Sequence, residues 1–352
     1  MCVIFFICEK EFFFLVAPYK SMRILIIGAG SVTRTMIKSA LKFSWFRELS
    51  IADPNSKSIE HLKAHFPSLT FRKYTSLDEA LSSSSYDSIW INTPSHLHYE
   101  HTFHSLSKTN QILVAKPLTD SYKKSSEIVS LAKLKSVVLT VAHQMRYHEH
   151  IQHITQLISE GLVGKIESVI FHNSKNRREV GNLNSFYHPV LYEMTCHHFD
   201  IISSFLEGFK VSSVYCCGTN PPWSNYKSNS VIDAVIQFEN NVICNYHAAY
   251  SSQSPYYSIR IEGNKGTLKF DGLHMSINQG ILSFAEVGEN FEVIQNFKGD
   301  FTLDVWYEFL EDWYKNIDSP FTFHADSQEN LKILKAIDLC VQSNENSSIT
   351  TN

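Results

Sequence analysis

The stretch Arg23-Ile24-Leu25-Ile26-Ile27-Gly28-Ala29-Gly30-Ser31-Val32-Thr33 decides the fold. An apolar run the length of a buried strand ends on Gly28. Val32, Met36, Ile37, Ala40 and Leu41 then recur at helical spacing. Gly28 permits the tight turn between the two. Gly30 lets a backbone approach a pyrophosphate at the helix N-terminus, where unpaired N–H groups and the helix dipole favour an anion. Ser31 and Val32 complete the turn as cofactor-binding residues. Thr33 stands where a third glycine is usual, which predicts looser helix–strand packing.

Working outward, Asp53 ends a second apolar run, Ile51-Ala52, 23 residues after Gly30. A carboxylate there accepts hydrogen bonds from ribose hydroxyls and repels a 2′-phosphate, so NAD is expected over NADP. Strands at 23–27, 49–52, 70–74, 88–92, 111–115 and 137–142 alternate with helices. One helix covers 32–42, and another opens on the capping box Ser76-Leu77-Asp78-Glu79. Such alternation predicts a doubly wound parallel sheet with ligands beyond the carboxyl ends of its strands. Thr93, Pro94, Ser95 and His98 follow the fourth strand and are expected over the nicotinamide side. Lys116, before Pro117, ends the fifth strand at the same edge, where it can reach a bound substrate.

After residue 143 the texture changes. A helix carrying Ile151, Ile154, Leu157 and Ile158 stops at Gly161, and another spans about 190–206 behind Pro189. Strand-like runs follow at 166–173, 211–217, 231–238, 242–249, 256–262 and 266–270. The turns Glu239-Asn240-Asn241 and Gly263-Asn264-Lys265-Gly266 predict hairpins. Helices at 303–316 and 326–343 close the chain. The reading is α/β: a Rossmann dinucleotide-binding domain over 22–143, then a C-terminal α+β domain over 144–352 with a large, mostly antiparallel open sheet. Residues 1–21 read as an extension outside the fold. Their apolar runs, Val3 to Cys8 and Phe12 to Ala17, are split by Glu9-Lys10-Glu11 and are too short to span a bilayer.

The charged fraction of 19% and hydrophobic fraction of 43% suit a soluble globular protein, and a net charge of −4 argues against a nucleic-acid partner. Seven cysteines without paired spacing read as free thiols of a cytoplasmic protein. The histidine runs 96, 98, 101, 104 and 143, 148, 150, 153 lack accompanying Glu or Cys ligands. They are expected to be solvated, and no metal is expected.

In Glu193-Met194-Thr195-Cys196-His197-His198-Phe199-Asp200, the residues Glu193, His197 and Asp200 fall at i, i+4 and i+7, one face of a helix. Neutral His197 then serves as general base, Glu193 orients its ring, and Lys116 donates to the same substrate oxygen. Asp200 either supports His197 or pairs with a basic residue. His198 points about 100° away and reads as structural. Arg146 and Tyr147, at the domain junction, are candidate substrate contacts.

Together these motifs resemble the Gfo/Idh/MocA family, the glucose–fructose oxidoreductase and inositol dehydrogenase group. The carriers are the turn 28–33, Ala52-Asp53-Pro54, Asn92-Thr93-Pro94-Ser95 with His98, Lys116-Pro117, Arg146-Tyr147, the segment Glu193 to Asp200, and Ile261-Glu262-Gly263-Asn264-Lys265-Gly266-Thr267. The family's Glu-Lys-Pro reads Ala115-Lys116-Pro117 here, and the acid of its Asp-x-x-x-His pair is Glu193. The resemblance implies NAD(P)-dependent hydride transfer at a hydroxyl or ketone of a sugar, cyclitol or sugar derivative. It also implies assembly through the open sheet as a homodimer or homotetramer. Two rival readings are an NAD-driven glycosidase or lyase and a non-catalytic NAD-binding sensor or scaffold. Neither nucleic acid nor membrane is expected as a partner.

Overall fold

The computed structural model describes residues 20–177, 179–181, 183, 188–275, 279–299, 304–317 and 325–352. The expected extension lies outside them, apart from Lys20 and Ser21.

Six parallel strands form the first sheet: β1 (Met22–Ile27), β2 (Phe46–Ala52), β3 (Arg72–Tyr74), β4 (Ser88–Ile91), β5 (Gln111–Ala115) and β6 (Val138–Ala142). Their order is β3-β2-β1-β4-β5-β6. The chain reverses direction of winding between β1 and β4, which opens a crevice above their carboxyl ends. The helices α1 (Ser31–Ala40), α2 (Ser56–His65), α3 (Leu77–Ser83), α4 (Ser95–Ser105) and α5 (Tyr122–Leu134) connect them. Local side chains start three of these helices. Asn55 caps α2, Ser121 caps α5, and Ser76 caps α3 by accepting from the Glu79 amide.

A 3₁₀ turn (Gln144–Tyr147) and α6 (Glu149–Ser159) lead to β7 (Ile166–Asn176). A π-helical turn (Val190–Met194) runs directly into α7 (Thr195–Phe205). The remaining strands are β8 (Val211–Thr219), β9 (Val231–Phe238), β10 (Ile243–Ala249), β11 (Ser251–Gly263), β12 (Gly266–Gly272), β13 (Gln279–Glu286), β14 (Glu292–Lys298) and β15 (Thr350–Thr351). With β7 they form a nine-stranded sheet ordered β14-β13-β12-β11-β7-β10-β9-β8-β15. Among the described residues of this sheet, only β7 and β10 pair in parallel. One face is buried. The other exposes Ile170, Tyr215, Val235, Ile243 and Tyr256.

The expected hairpins form at both turns, joining β9 to β10 and β11 to β12. The sequence does not announce β13 and β14. Their hairpin turns at Gly288, with φ +84°, and β14 at the sheet edge is mostly exposed, burying Phe297 while Val293 and Ile294 face outward.

The last two helices, α8 (Asp304–Lys315) and α9 (Ser327–Asn346), return to the first sheet. Tyr307 of α8 stacks on Phe43 at 4.5 Å, and Tyr314 stacks on Trp45 at 4.9 Å. The Val141 amide donates to Ala325 O beside β6. Of the two helices, α8 packs on α1 of the first layer, and α9 packs on both α5 and β8.

Candidate active site

Gly28 has φ +97°, and a Cβ there would stand 2.8 Å from Asn92 O. Only glycine fits this crossing of β1 and β4. A Cβ on Gly30 would meet nothing within 4 Å, so the backbone faces open space. The first turn of α1 has neither a side-chain cap nor an acidic residue, leaving its donors free of competing protein anions. Asp53 accepts from the Ala29 amide at 2.8 Å and the Asn55 amide at 2.8 Å, which places its carboxylate against the turn. Ser31 and Val32 are exposed beside it. This cradle fits a dinucleotide pyrophosphate with its adenosine ribose at Asp53.

The loosening expected at Thr33 is not found. Its hydroxyl donates to Gly28 O at 2.5 Å and accepts from Asn92 Nδ2 at 3.1 Å. The side chain is fully buried and supplies by hydrogen bonding the closeness that a glycine would supply by absence.

Thr93 and Pro94 line the loop after β4, with Thr93 half-buried and Pro94 exposed. Ser95 is buried. His98 departs from the expected cofactor contact. It is buried, with Nδ1 2.8 Å from Pro117 O and Nε2 2.7 Å from Thr93 O. Both ring nitrogens are spent tying the β4 loop to the β5 loop.

Lys116 directly follows β5, at the edge where it is expected. Its Nζ donates to Glu193 O at 2.6 Å and stands 3.4 Å from Glu193 Oε1. Glu193 itself corrects the sequence reading. It sits in the π turn, where the Thr195 amide reaches back five residues to Val190 O. Among the described residues, no hydrogen bond or ion pair joins Glu193 to His197. Its carboxylate instead accepts from the Tyr250 hydroxyl and lies 3.8 Å from Arg177 Nη1. Burial alone would raise this carboxyl, but Lys116, the Tyr250 hydrogen bond and Arg177 outweigh it and pull it down to about 2.

His197 is buried, and its Nδ1 has no hydrogen-bond partner among the described residues. Burial, then the positive charge of Lys116, hold its pKa well below 6.5, so the ring is neutral. His143 stands edge-on to it, ring centroids 6.1 Å apart. The expectation that the histidines near 143 are solvated fails, since His143, His148 and His150 are all buried. The buried imidazoles pack there as aromatic rings, as His150 does on Phe270 at 4.5 Å.

Asp200 takes the second of its two expected roles. Arg146 clamps it through Nε to Oδ2 at 2.9 Å and Nη2 to Oδ1 at 2.7 Å. Arg146 also donates to Ser203 Oγ at 2.9 Å, and the Tyr147 hydroxyl donates to Asp312 at 2.5 Å. The polar ends of both proposed substrate contacts are thus engaged within the protein, because a buried carboxylate such as Asp200 needs its cation. His198 is structural as expected, bonded to Tyr246 and Asn173 at 2.7 Å each.

Three residues near Glu193 escape the sequence reading: Lys175, Arg177 and Tyr250. They come from β7 and the end of β10, and no local motif marks them. Strand alternation is the one available signal, since Asn173, Lys175 and Arg177 share a face. A separate cleft lined by Arg23, Arg47, Arg72 and Ser85 opens at the amino-terminal edge of the first sheet, opposite the glycine turn.

The family model for the oxidoreductase family with NAD-binding Rossmann fold matches residues 22–143, and the Gfo/Idh/MocA C-terminal domain model matches 151–269. The chain belongs to the Gfo/Idh/MocA oxidoreductase family. Among relatives of this Gfo/Idh/MocA protein, the uncharacterized protein y4oX of Sinorhizobium fredii is 22% identical over 71% of this chain and 72% of its own. Further curated relatives match over 38–55% of their own length. Levoglucosan dehydrogenase in complex with NADH has the same fold, with a TM-score of 0.80, 16% identity and coverage of 94% of this chain and 99% of that one. So does the WlbA dehydrogenase of Bordetella pertussis in complex with NADH and UDP-GlcNAcA, with a TM-score of 0.77, 17% identity and coverage of 95% and 99%. Among the described residues, no helix is long and apolar enough to cross a membrane.

Proposed function

We propose that this chain is an NAD-dependent dehydrogenase acting on a hydroxyl of a sugar, cyclitol or sugar derivative. The observation that carries the reading is a lysine at the carboxyl end of β5 placed beside a buried, neutral histidine. His197, held neutral by burial, takes the hydroxyl proton. Lys116 donates to the same oxygen and stabilises the negative charge that grows as the proton leaves. Glu193 holds Lys116 through its main-chain carbonyl and carboxylate, so its role is to position the lysine. The cradle formed by Gly28, Gly30 and Asp53 holds NAD, whose nicotinamide supplies the hydride acceptor when bound. The sugar-type ligands named for the two dehydrogenases of like fold support the substrate class.

The exposed apolar residues on the outer face of the large sheet support assembly with a second copy as a dimer or tetramer. The free thiols among the described cysteines support a cytoplasmic location.

A panel of polyols, sugars and nucleotide sugars, read by NADH absorbance, tests the activity. NADH formation from at least one hydroxyl compound is expected. Cleavage or elimination without net NADH would instead favour the lyase reading, and NAD binding without any turnover would favour the sensor.

A further inference from the structure

The side chains around Glu193 carry more positive charge than the proposed proton transfer uses. Glu193 is one carboxylate facing Lys116 at 3.4 Å and Arg177 at 3.8 Å, and Lys175 lies within electrostatic reach of it. The other acid of the motif, Asp200, is already neutralised by Arg146. Neutral His197 and His198 add no charge. Three cations therefore share one free carboxylate, in a protein whose overall charge is −4.

Lys175 is the unmatched one. It lies on β7 two residues beyond Asn173, whose side chain is buried against His198 at 2.7 Å, so strand alternation turns Lys175 to the same inner side. Arg177 follows two residues later on the same face, its guanidinium 5.3 Å from the Tyr250 ring and its amide bonded to Tyr250 O. Among the described residues, Lys175 makes no hydrogen bond and no ion pair closer than 4.0 Å. Burial, only partly offset by Glu193, lowers its pKa to about 8, which leaves it protonated at neutral pH. A partly buried ammonium without a partner costs stability unless something anionic completes it.

We propose that Lys175, together with Arg177, binds an anionic substituent of the substrate, a carboxylate or phosphate, so that this enzyme takes acidic or phosphorylated sugars in preference to neutral ones. The inference rests on the dehydrogenase reading for the sugar part and on the inner face of β7 for the anion. Residues 175 and 177 are about 7 Å apart along a strand, a span that two oxygens of one carboxylate or phosphate can bridge with the reach of Lys and Arg side chains. Their position beside Lys116 sets the anion a short distance from the reacting hydroxyl.

The test is equilibrium binding to the full chain loaded with NAD, followed by calorimetry with D-glucose, D-glucuronate and D-glucose 6-phosphate. One or both anionic probes should bind at least tenfold tighter than glucose, and the stronger of the two identifies carboxylate or phosphate. The preference should fall about tenfold or more in Lys175→Met, should persist in Lys175→Arg, and should shrink with added salt. Equal affinity for all three probes overturns the proposal, as does a preference undiminished in a folded Lys175→Met. Absence of NADH formation from every hydroxyl compound would instead overturn the dehydrogenase reading, which this binding measurement does not use.

Discussion

Lys116 Nζ donates to the main-chain carbonyl of Glu193 at 2.6 Å, and the same residue's carboxylate stands 3.4 Å away. The contact joins the end of β5 to a π turn on the far side of the crevice. It fixes the lysine by two groups of one residue, one of which cannot be lost by mutation. The carboxylate also meets Tyr250 and Arg177, so its charge is more engaged than that of an ordinary surface pair.

Glu193→Gln should therefore destabilise the protein near neutral pH by about 1–3 kcal/mol, since it leaves Lys116 and Arg177 facing each other without their anion. The sign with pH follows from the lowered carboxyl. An ordinary glutamate titrates near 4.3, whereas Glu193 titrates at about 2 in the folded state. Its contribution is complete above the unfolded value and is lost as pH falls from about 4.3 toward about 2. Melting temperatures across that window should converge for parent and variant. A constant gap down to pH 2.5 would show that the loss is packing, not charge.

Asp53 should make the protein prefer NADH over NADPH. Its carboxylate is held by the Ala29 and Asn55 amides against the glycine turn, and a negative charge there should repel a 2′-phosphate. Asp53→Ser removes the repulsion and should shift the preference toward NADPH. Fluorescence titration of both cofactors against parent and variant decides it. Equal affinities in the parent would remove Asp53 from this role.

Much of this was legible in sequence where the signal is local. Gly28, Gly30 and Asp53 sit where a strand–turn–helix pattern puts them, and Lys116 directly follows its strand as its apolar run implies. What sequence misplaced depends on geometry that four residues cannot reveal. Glu193 and His197 stand four apart in sequence, yet Glu193, in a π turn, finds its partners in Lys116, Tyr250 and Arg177. His98 and Arg146 carry polar groups that read as functional, yet tertiary partners, Pro117 O and Asp200, claim them. Arg177 and Tyr250 meet Glu193, and Lys175 comes within electrostatic reach of it, through pairing of β7 with β10, a contact between segments some 75 residues apart. Similarly α8 reads as an amphipathic helix, but nothing in its pattern says that it packs on α1.

The nine-stranded sheet should be an interface between copies of this chain. Ile170, Tyr215, Val235 and Ile243 form an exposed apolar patch across its neighbouring strands, while on the opposite face α9 packs on β8 and His198 and Phe199 of α7 pack on Tyr246. Light scattering at micromolar concentration should report a dimer or larger. Val235→Lys, placed at the middle of the patch, should shift the population toward monomer with the fold intact by circular dichroism. A monomeric parent protein would defeat the expectation outright.

Lys116 and His197 should act on one substrate oxygen, and their coupling gives a signature beyond lost activity. Oxidation requires His197 neutral, and burial together with Lys116 keeps its pKa well below 6.5, so the acid limb of kcat/KM belongs below that pH. Loss of a positioned acid–base or oxyanion group costs about 10²–10⁴-fold in rate. His197→Ala should cost that much and abolish the limb. Lys116→Met should cost a similar factor but also move the limb upward, because removing a nearby positive charge makes the imidazolium easier to form. NADH binding should survive in both, since Gly28, Gly30 and Asp53 are untouched. The pH profile separates this pairing from mere disruption of the site: a Lys116→Met enzyme that is slow but keeps the parent limb would show that Lys116 does not act on His197. Near-parent turnover in both variants would sink the mechanism and leave the cradle as a site for binding alone.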